Sequence, residues 1–135
     1  MSTKPAITLT RLDMQRLERL LDSLDDFTPA AEALEQEIAR AQVIGHLEIA
    51  HDIVTMNSKV HCIEEHSQKQ YVVTLVYPQD AGNPGTVSVL APIGSALLGL
   101  SCGQSINWPT SATKSLQLTV QQVEYQPEAA GEFTL

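Results

Sequence analysis

The sequence contains few basic residues and few aromatic ones. Eight Lys and Arg residues stand against sixteen Asp and Glu residues, which gives a formal net charge of -8, and aromatics make up only 4% of the chain. A protein that binds nucleic acid on its own needs a basic face to neutralise phosphates. The charge balance therefore argues against direct DNA or RNA binding and favours a basic protein surface as the partner.

Cysteine is scarce as well. Cys62 and Cys102 lie far apart in the chain and form no CxxC motif. A short secreted domain normally carries more cysteine pairs, so we expect two reduced thiols. The segment Met1 to Thr10 lacks the apolar run of a signal peptide, and no apolar stretch is long enough to cross a membrane. We expect a soluble, cytoplasmic protein with no membrane partner.

The sequence also lacks a motif for catalysis or metal binding. Four histidines fall in the same stretch as Cys62, but adjacent strand residues point to opposite faces, so His61 and Cys62 should not share one metal ion. No Gly-rich phosphate loop precedes a helix, and no third group orients a Cys–His pair. We predict that the protein is not an enzyme and holds neither a metal nor a cofactor.

Two helices are predicted in the first 46 residues. Thr10 can cap the first helix, and Thr28 followed by Pro29 can begin the second. Gly45 is a candidate left-handed terminator for the second helix. Both helices carry an apolar stripe at helical spacing. The first stripe is Leu17, Leu20, Leu21 and Leu24, and the second is Ala30, Leu34, Ile38 and Ala41.

A short turn joins these helices, so they should pair as an antiparallel hairpin over residues 1–46. The tip of the hairpin is Asp25, Asp26 and Phe27. Adjacent carboxylates at a turn are usually solvated, and this is the interpretation that we favour for the aspartate pair. The tip is a candidate functional position only through the family resemblance described below.

After Gly45 the apolar period changes to two, which is typical of strands. Tyr71, Val73 and Leu75 alternate with their neighbours, and the last strand changes phase near Gln121, which indicates a bulge. A short helix is predicted from Pro92 to Gly99. Residues 47–135 should therefore form an antiparallel sheet with one short helix, and the whole chain an α+β fold.

The corner formed by Leu90, Ala91 and Pro92 stands out between the predicted strand and this short helix. A strand that passes through a proline turn into a buried helix accounts for the residues around it without any function. It does not account for the corner itself, where a rigid turn presents a small apolar surface at the end of a sheet. Such turns are used as docking sites for protein partners.

Ser88 to Gly99 resembles the strand–Pro–helix signature of the C-terminal domain of the GreA/GreB transcription elongation factors. The likeness extends to the Rnk family, whose name refers to regulation of nucleoside diphosphate kinase. The segments that resemble Rnk are HDIVTMNS (51–58), TLVYP (74–78) and EYQPEAAG (124–131).

The resemblance implies an FKBP-like fold and bacterial RNA polymerase as the partner, bound at the rim of its secondary channel. The contact of Gre factors maps onto Leu90, Ala91 and Pro92, although an acidic residue and a serine usually precede this proline. Gre factors stimulate transcript cleavage through acidic residues at the tip of a long coiled coil. Here each predicted helix spans about 15 residues, roughly 22–24 Å, so the hairpin is roughly half as long.

We therefore expect a protein that docks on the polymerase and competes with Gre factors without stimulating transcript cleavage. Two alternatives remain open. The protein could regulate nucleoside diphosphate kinase, either directly through a protein contact or indirectly through transcription. An FKBP-like fold could also carry peptidyl-prolyl isomerase activity, but such a site needs an aromatic-lined pocket and the chain offers few aromatic residues.

Overall fold

The computed structural model describes residues 7–26, 28–45, 47–109 and 113–131. Among these residues, no helix is long and apolar enough to cross a membrane. The first part of the chain forms two helices between two short strands: β1 (Thr8–Thr10), α1 (Arg11–Ser23), α2 (Pro29–Arg40) and β2 (Gln42–Ile44). The second part forms five strands and two short helices: β3 (Lys59–Glu64), β4 (Lys69–Val76), β5 (Thr86–Ser88), α3 (Pro92–Leu97), β6 (Ser105–Pro109), β7 (Ser115–Tyr125) and α4 (Pro127–Ala130).

Both predicted helix starts are confirmed. The Thr10 hydroxyl accepts a hydrogen bond from the Asp13 N–H at 3.1 Å, and the Thr28 hydroxyl accepts one from the Ala31 N–H at 3.2 Å. Pro29 is the first residue of α2, where its missing N–H costs nothing. These caps satisfy backbone donors that would otherwise have no partner within the helix.

Two details of the predicted second helix are wrong. Ala31 is buried and Ala30 is exposed, so the stripe begins one residue later than expected. Gly45 does not end the helix, because α2 stops at Arg40 and the chain continues directly into β2. The backbone after Arg40 forms strand hydrogen bonds with β1 instead of continuing the helix. Because β1 is distant in sequence, this pairing cannot be seen in the local apolar periodicity.

The five later strands form one sheet in the order β5-β4-β3-β7-β6. The expected α+β class is confirmed, but the sheet is mixed rather than wholly antiparallel, because β5 runs parallel to β4. The pairing covers only three residues, from Thr74 opposite Thr86 to Val76 opposite Ser88. The connection of residues 77–85, with a 3-10 turn at Pro78–Asp80, therefore has to carry the chain back only a short distance.

The predicted bulge near Gln121 is confirmed. His61 pairs with Gln122 and Cys62 pairs with Val120, which leaves Gln121 as an extra residue in β7. A second irregularity leaves Glu124 unpaired in the same way. The Glu124 carboxylate lies 3.0 Å from Lys59 Nζ and 2.8 Å from His61 Nε2.

One hydrophobic core joins the helical hairpin to the sheet. Leu17 of α1 and Leu34 of α2 are fully buried in the same cluster as Leu75 of β4 and Leu97 of α3. A backbone hydrogen bond reinforces this contact, since the Thr8 N–H donates to the carbonyl of Gly99, which follows α3, at 3.1 Å. The hairpin therefore shares one buried core with the sheet part of the protein.

Gly99 holds the junction between β1 and α3, and its replacement should be costly. Its φ is +80°, and an added Cβ would lie 2.7 Å from Ile7 Cβ and 3.2 Å from Thr8 N. We expect Gly99→Ala to lower the free energy of unfolding by about 2–4 kcal/mol, through both the left-handed backbone and the overpacking. Gly103 is a matched control, because its φ is +89° but nothing lies within 4 Å of the added Cβ. Urea unfolding of both variants measures the difference, and equal losses would show that the close contact with β1 contributes nothing.

Candidate functional site

The corner predicted for docking is a tight turn at the end of β5. The Ala91 N–H donates to the Ser88 carbonyl at 2.9 Å, and the Leu90 N–H donates to the Ser88 hydroxyl at 3.1 Å. Ala91 is the N-cap residue of α3, with extended backbone angles, and Pro92 begins the helix. The structure thus places all three predicted residues in one turn between a strand and a helix.

Two residues that the sequence analysis did not single out make this turn rigid. An added Cβ at Gly94 would lie 2.0 Å from the Ser88 carbonyl oxygen, so only glycine lets the helix sit so close to the turn. The buried Ser95 hydroxyl donates to the Val89 carbonyl at 2.6 Å, and its N–H donates to the Ala91 carbonyl at 2.9 Å. In the sequence, the glycine two residues after the proline and the serine three residues after it could have predicted this rigid turn.

Leu90 and Ala91 expose only part of their apolar surface at the corner. Leu90 and Ala91 are half-buried, and Leu90 packs against the core cluster, while residues 94–100 are buried. A partner would therefore meet a preformed backbone turn together with the exposed parts of Leu90 and Ala91. Binding at such a site loses little conformational entropy, because the turn is already ordered in the free protein.

The hairpin tip is separate from this corner. Asp25 and Asp26 are exposed in the turn after α1, and Phe27 lies outside the described residues. Within the described ranges, no group of three His, Cys, Asp or Glu side chains is placed to hold a metal ion. His61 is half-exposed and Cys62 is fully buried, so the two neighbours point to opposite faces as expected. Burial raises the pKa of the Cys62 thiol to about 11, which makes it unreactive near neutral pH.

A buried polar junction, which the sequence analysis missed, connects α1 to the sheet and to α4. Asp13 is 3% exposed, and its carboxylate accepts the Met56 N–H at 3.1 Å. Thr55 donates from its hydroxyl to Glu128 of α4 at 2.7 Å. The Gln126 amide donates to the carbonyls of Ala50 and Ile53, each at 2.8 Å. The loop of residues 50–58 is therefore hydrogen-bonded both to Asp13, near the start of the chain, and to Gln126 and Glu128, near its end.

Asp13 is also unusual in its acidity. Burial raises its pKa from 3.8 to about 7, an effect opposed by the Met56 N–H and increased by the charge of Glu128. The local sequence around a carboxylate at the third position of a helix does not show that it will be buried, or that it will accept a hydrogen bond from a distant backbone N–H.

This shift predicts a specific dependence of stability on pH. Between about pH 4 and pH 7 the folded protein keeps a proton on Asp13 that the unfolded chain releases, so the free energy of unfolding falls as the pH rises. The expected loss is about 4 kcal/mol at about 1.36 kcal/mol per pKa unit. Asp13→Asn mimics the protonated form and should remove most of this slope. Urea unfolding at several pH values measures both proteins.

Glu64 titrates in a different window and cannot cause the same slope. The Ser67 N–H, with help from the Gln117 N–H, lowers its pKa to about 2, so the stability it contributes is present above about pH 4.5 and lost as the pH falls towards 2. Parallel curves for the wild type and Asp13→Asn between pH 4 and pH 7 would contradict the assignment to Asp13.

Comparisons with known proteins cover both parts of the chain. A family profile described as "Rnk N-terminus" matches residues 5–44, and one described as "Transcription elongation factor, GreA/GreB, C-term" matches residues 49–125. A regulator of nucleoside diphosphate kinase from Escherichia coli K12 is 42% identical over 98% of this chain and 99% of its own length. The transcription elongation factor GreA of Rhodospirillum rubrum is 35% identical over 74 residues, which are 54% of this chain and 47% of GreA.

A solved structure agrees with these relationships. A prokaryotic transcription elongation factor GreA/GreB from Nitrosomonas europaea is 43% identical in sequence and superposes with a TM-score of 0.71. The superposition covers 90% of this chain and 100% of the other. The similarity to this structure therefore includes most of the fold described above.

Proposed function

This chain belongs to the Rnk family of GreA/GreB-related regulators, and on that premise we propose that it binds bacterial RNA polymerase. The proposed contact is the corner of Leu90, Ala91 and Pro92, at the rim of the secondary channel. A polymerase-binding protein of this kind would work in the cytoplasm.

The observation that carries the proposal is the rigid geometry of this corner. It lies inside the segment that matches the GreA/GreB C-terminal profile, residues 49–125. Gly94 allows the helix to pack directly on the Ser88 carbonyl, and Ser95 ties the helix to Val89. A turn held in this way is suited to presenting backbone and a little apolar surface to a partner.

The length of the hairpin supports competition without cleavage. Helix α1 has 13 residues and α2 has 12. At about 1.5 Å per residue each spans roughly 20 Å, which is short for a device that must reach a catalytic centre from a channel rim. We infer that the protein occupies the docking position of Gre factors, obstructs their access and leaves the transcript uncut.

A second candidate function is regulation of nucleoside diphosphate kinase by direct contact. It is favoured by the name of the Escherichia coli relative, which matches the chain over nearly its full length. Titration of the fluorescently labelled protein with core polymerase and, separately, with the kinase distinguishes the two. Saturable binding to the polymerase alone supports the first proposal, whereas saturable binding to the kinase alone replaces it with the second.

A further inference from the structure

Two carboxylates bind consecutive residues of the 50–58 loop. The Asp13 carboxylate of α1 accepts the Met56 N–H at 3.1 Å, and the Glu128 carboxylate of α4 accepts the Thr55 hydroxyl at 2.7 Å. Asp13 is 3% exposed and Thr55 is fully buried. The charge of Glu128 therefore acts directly on Asp13, and the junction brings two like charges together whenever both groups are ionised.

The hydroxyl groups at this junction can donate in only one direction. The Ser58 hydroxyl accepts the Thr55 N–H at 3.0 Å and lies 2.9 Å from the Thr55 hydroxyl. Because the Thr55 hydroxyl donates its single proton to Glu128, the Ser58 hydroxyl donates to Thr55. Glu128 is the acceptor at the end of this chain, so α4 is attached to the loop through its acidic side chain.

The groups that face Asp13 come from three other parts of the structure and from its own helix. Glu128 faces it from α4, the Met56 N–H from the loop, and Tyr77 from the end of β4. Arg16 on α1 is the cation beside it. Burial outweighs the Met56 N–H and Arg16 and raises the pKa of Asp13 to about 7, while burial also raises the pKa of Tyr77, which stays neutral. The closed junction therefore favours a protonated Asp13.

Helix α4 is the element whose movement would separate the two carboxylates. It spans only Pro127–Ala130, and its last two residues are exposed. Gln126, which precedes it, is anchored separately, because its amide donates to two carbonyls of the loop. Opening beyond Gln126 would move Glu128 away from Asp13 and admit water to the junction, while the hydrophobic core stays intact.

We propose that α4 is a pH-sensitive latch, which is closed on the 50–58 loop while Asp13 carries a proton and opens when Asp13 loses it. Opening and the release of one proton are then linked. The ratio of open to closed molecules should rise about tenfold per pH unit between about pH 4 and pH 7, and level off above that range. The attachment of the C-terminal segment to α1 and the loop would thus loosen near neutral pH.

Hydrogen exchange of the full chain, resolved by residue with NMR, tests the latch. The N–H groups of Ala130 and Gly131 report on α4, because they donate to carbonyls of the same turn, and the Met56 N–H reports on the contact with Asp13. We expect the protection factors of these groups to fall about tenfold per pH unit between about pH 5 and pH 7. Small additions of urea should change them little, since local opening exposes little surface.

Three variants assign the effect. Asp13→Asn cannot ionise, so its protection factors should not depend on pH. Glu128→Gln keeps an acceptor for Thr55 but removes the charge, so the fall should extend over a smaller pH range. Glu35→Gln is the matched control, because it makes the same change at an exposed position of α2 and should behave as the wild type does.

Four results would overturn the proposal. Ala130 and Gly131 could lack protection at every pH, which would show that α4 is never closed. The protection factors of the wild type could be independent of pH, or they could fall equally in Asp13→Asn. Finally, exchange at the latch could depend on urea as strongly as that of the Val120 N–H in the sheet, which would show global unfolding in place of local opening.

Discussion

Leu90→Arg is expected to weaken binding to core RNA polymerase at least tenfold, and about thirtyfold if Leu90 is central to the contact. Leu90 is half-buried at the corner, so the substitution brings a charge into a small apolar contact without a partner. Arginine is preferred to aspartate for this test. The related Gre factors usually carry an acidic residue at this point, so the polymerase surface could accept aspartate. The measurement is a fluorescence titration with core polymerase.

The affinity of Leu90→Asp for the polymerase then shows whether the polymerase surface at this contact is apolar or basic. An apolar surface would reject both charges, whereas a basic surface would reject arginine and tolerate aspartate. Val72→Arg is the matched control, because Val72 is 46% exposed on β4 and its change adds the same charge away from the corner. Since Leu90 also packs against the core, urea unfolding must show that each variant is folded. Unchanged affinity in a folded Leu90→Arg protein would move the interface elsewhere.

Leu34→Ala is expected to lower the free energy of unfolding by about 2–5 kcal/mol, because Leu34 is fully buried and its truncation leaves a cavity in the core. Total stabilities of small domains are about 5–15 kcal/mol, so this is a large fraction. Leu34 belongs to the core that the hairpin shares with the sheet. We therefore expect one transition that shifts as a whole, and not a hairpin that melts while the sheet persists.

Two probes and one control make this test decisive. Far-UV circular dichroism follows the helices, and the fluorescence of the single tryptophan, Trp108, follows the sheet. Coincident urea transitions indicate one cooperative unit, whereas earlier loss of the helical signal would contradict it. Leu47→Ala is the matched control, because Leu47 is 80% exposed and the same truncation there should change stability by less than about 0.5 kcal/mol.

Local chemistry explains why much of the fold was predictable from the sequence. Thr10 and Thr28 cap their helices through their own side chains, and the change from helical to strand spacing after Gly45 separates the two parts of the chain. The phase shift at Gln121 marked a bulge that the strand register confirms. Each of these signals lies within a few residues of the feature it predicts.

The features that were missed depend on contacts between distant segments. Asp13 meets the Met56 N–H, and Gly99 meets Ile7, in each case across more than forty residues of sequence. The parallel pairing of β5 with β4 could not be read from alternation, which is the same in parallel and antiparallel strands. At the corner, Leu90, Ala91 and Pro92 were predicted together, but the close contact of Gly94 that makes the turn rigid was not.

A competition assay on a backtracked RNA polymerase complex tests the proposed function most directly. A Gre factor stimulates transcript cleavage in this complex, and increasing amounts of the present protein are added. We predict that the rate of stimulated cleavage falls in a saturable way, that a higher concentration of the Gre factor restores it, and that the protein alone produces no cleavage. Leu90→Arg should compete poorly in the same assay. Cleavage by the protein alone, or an unchanged rate at a concentration that saturates the polymerase, would contradict the proposal.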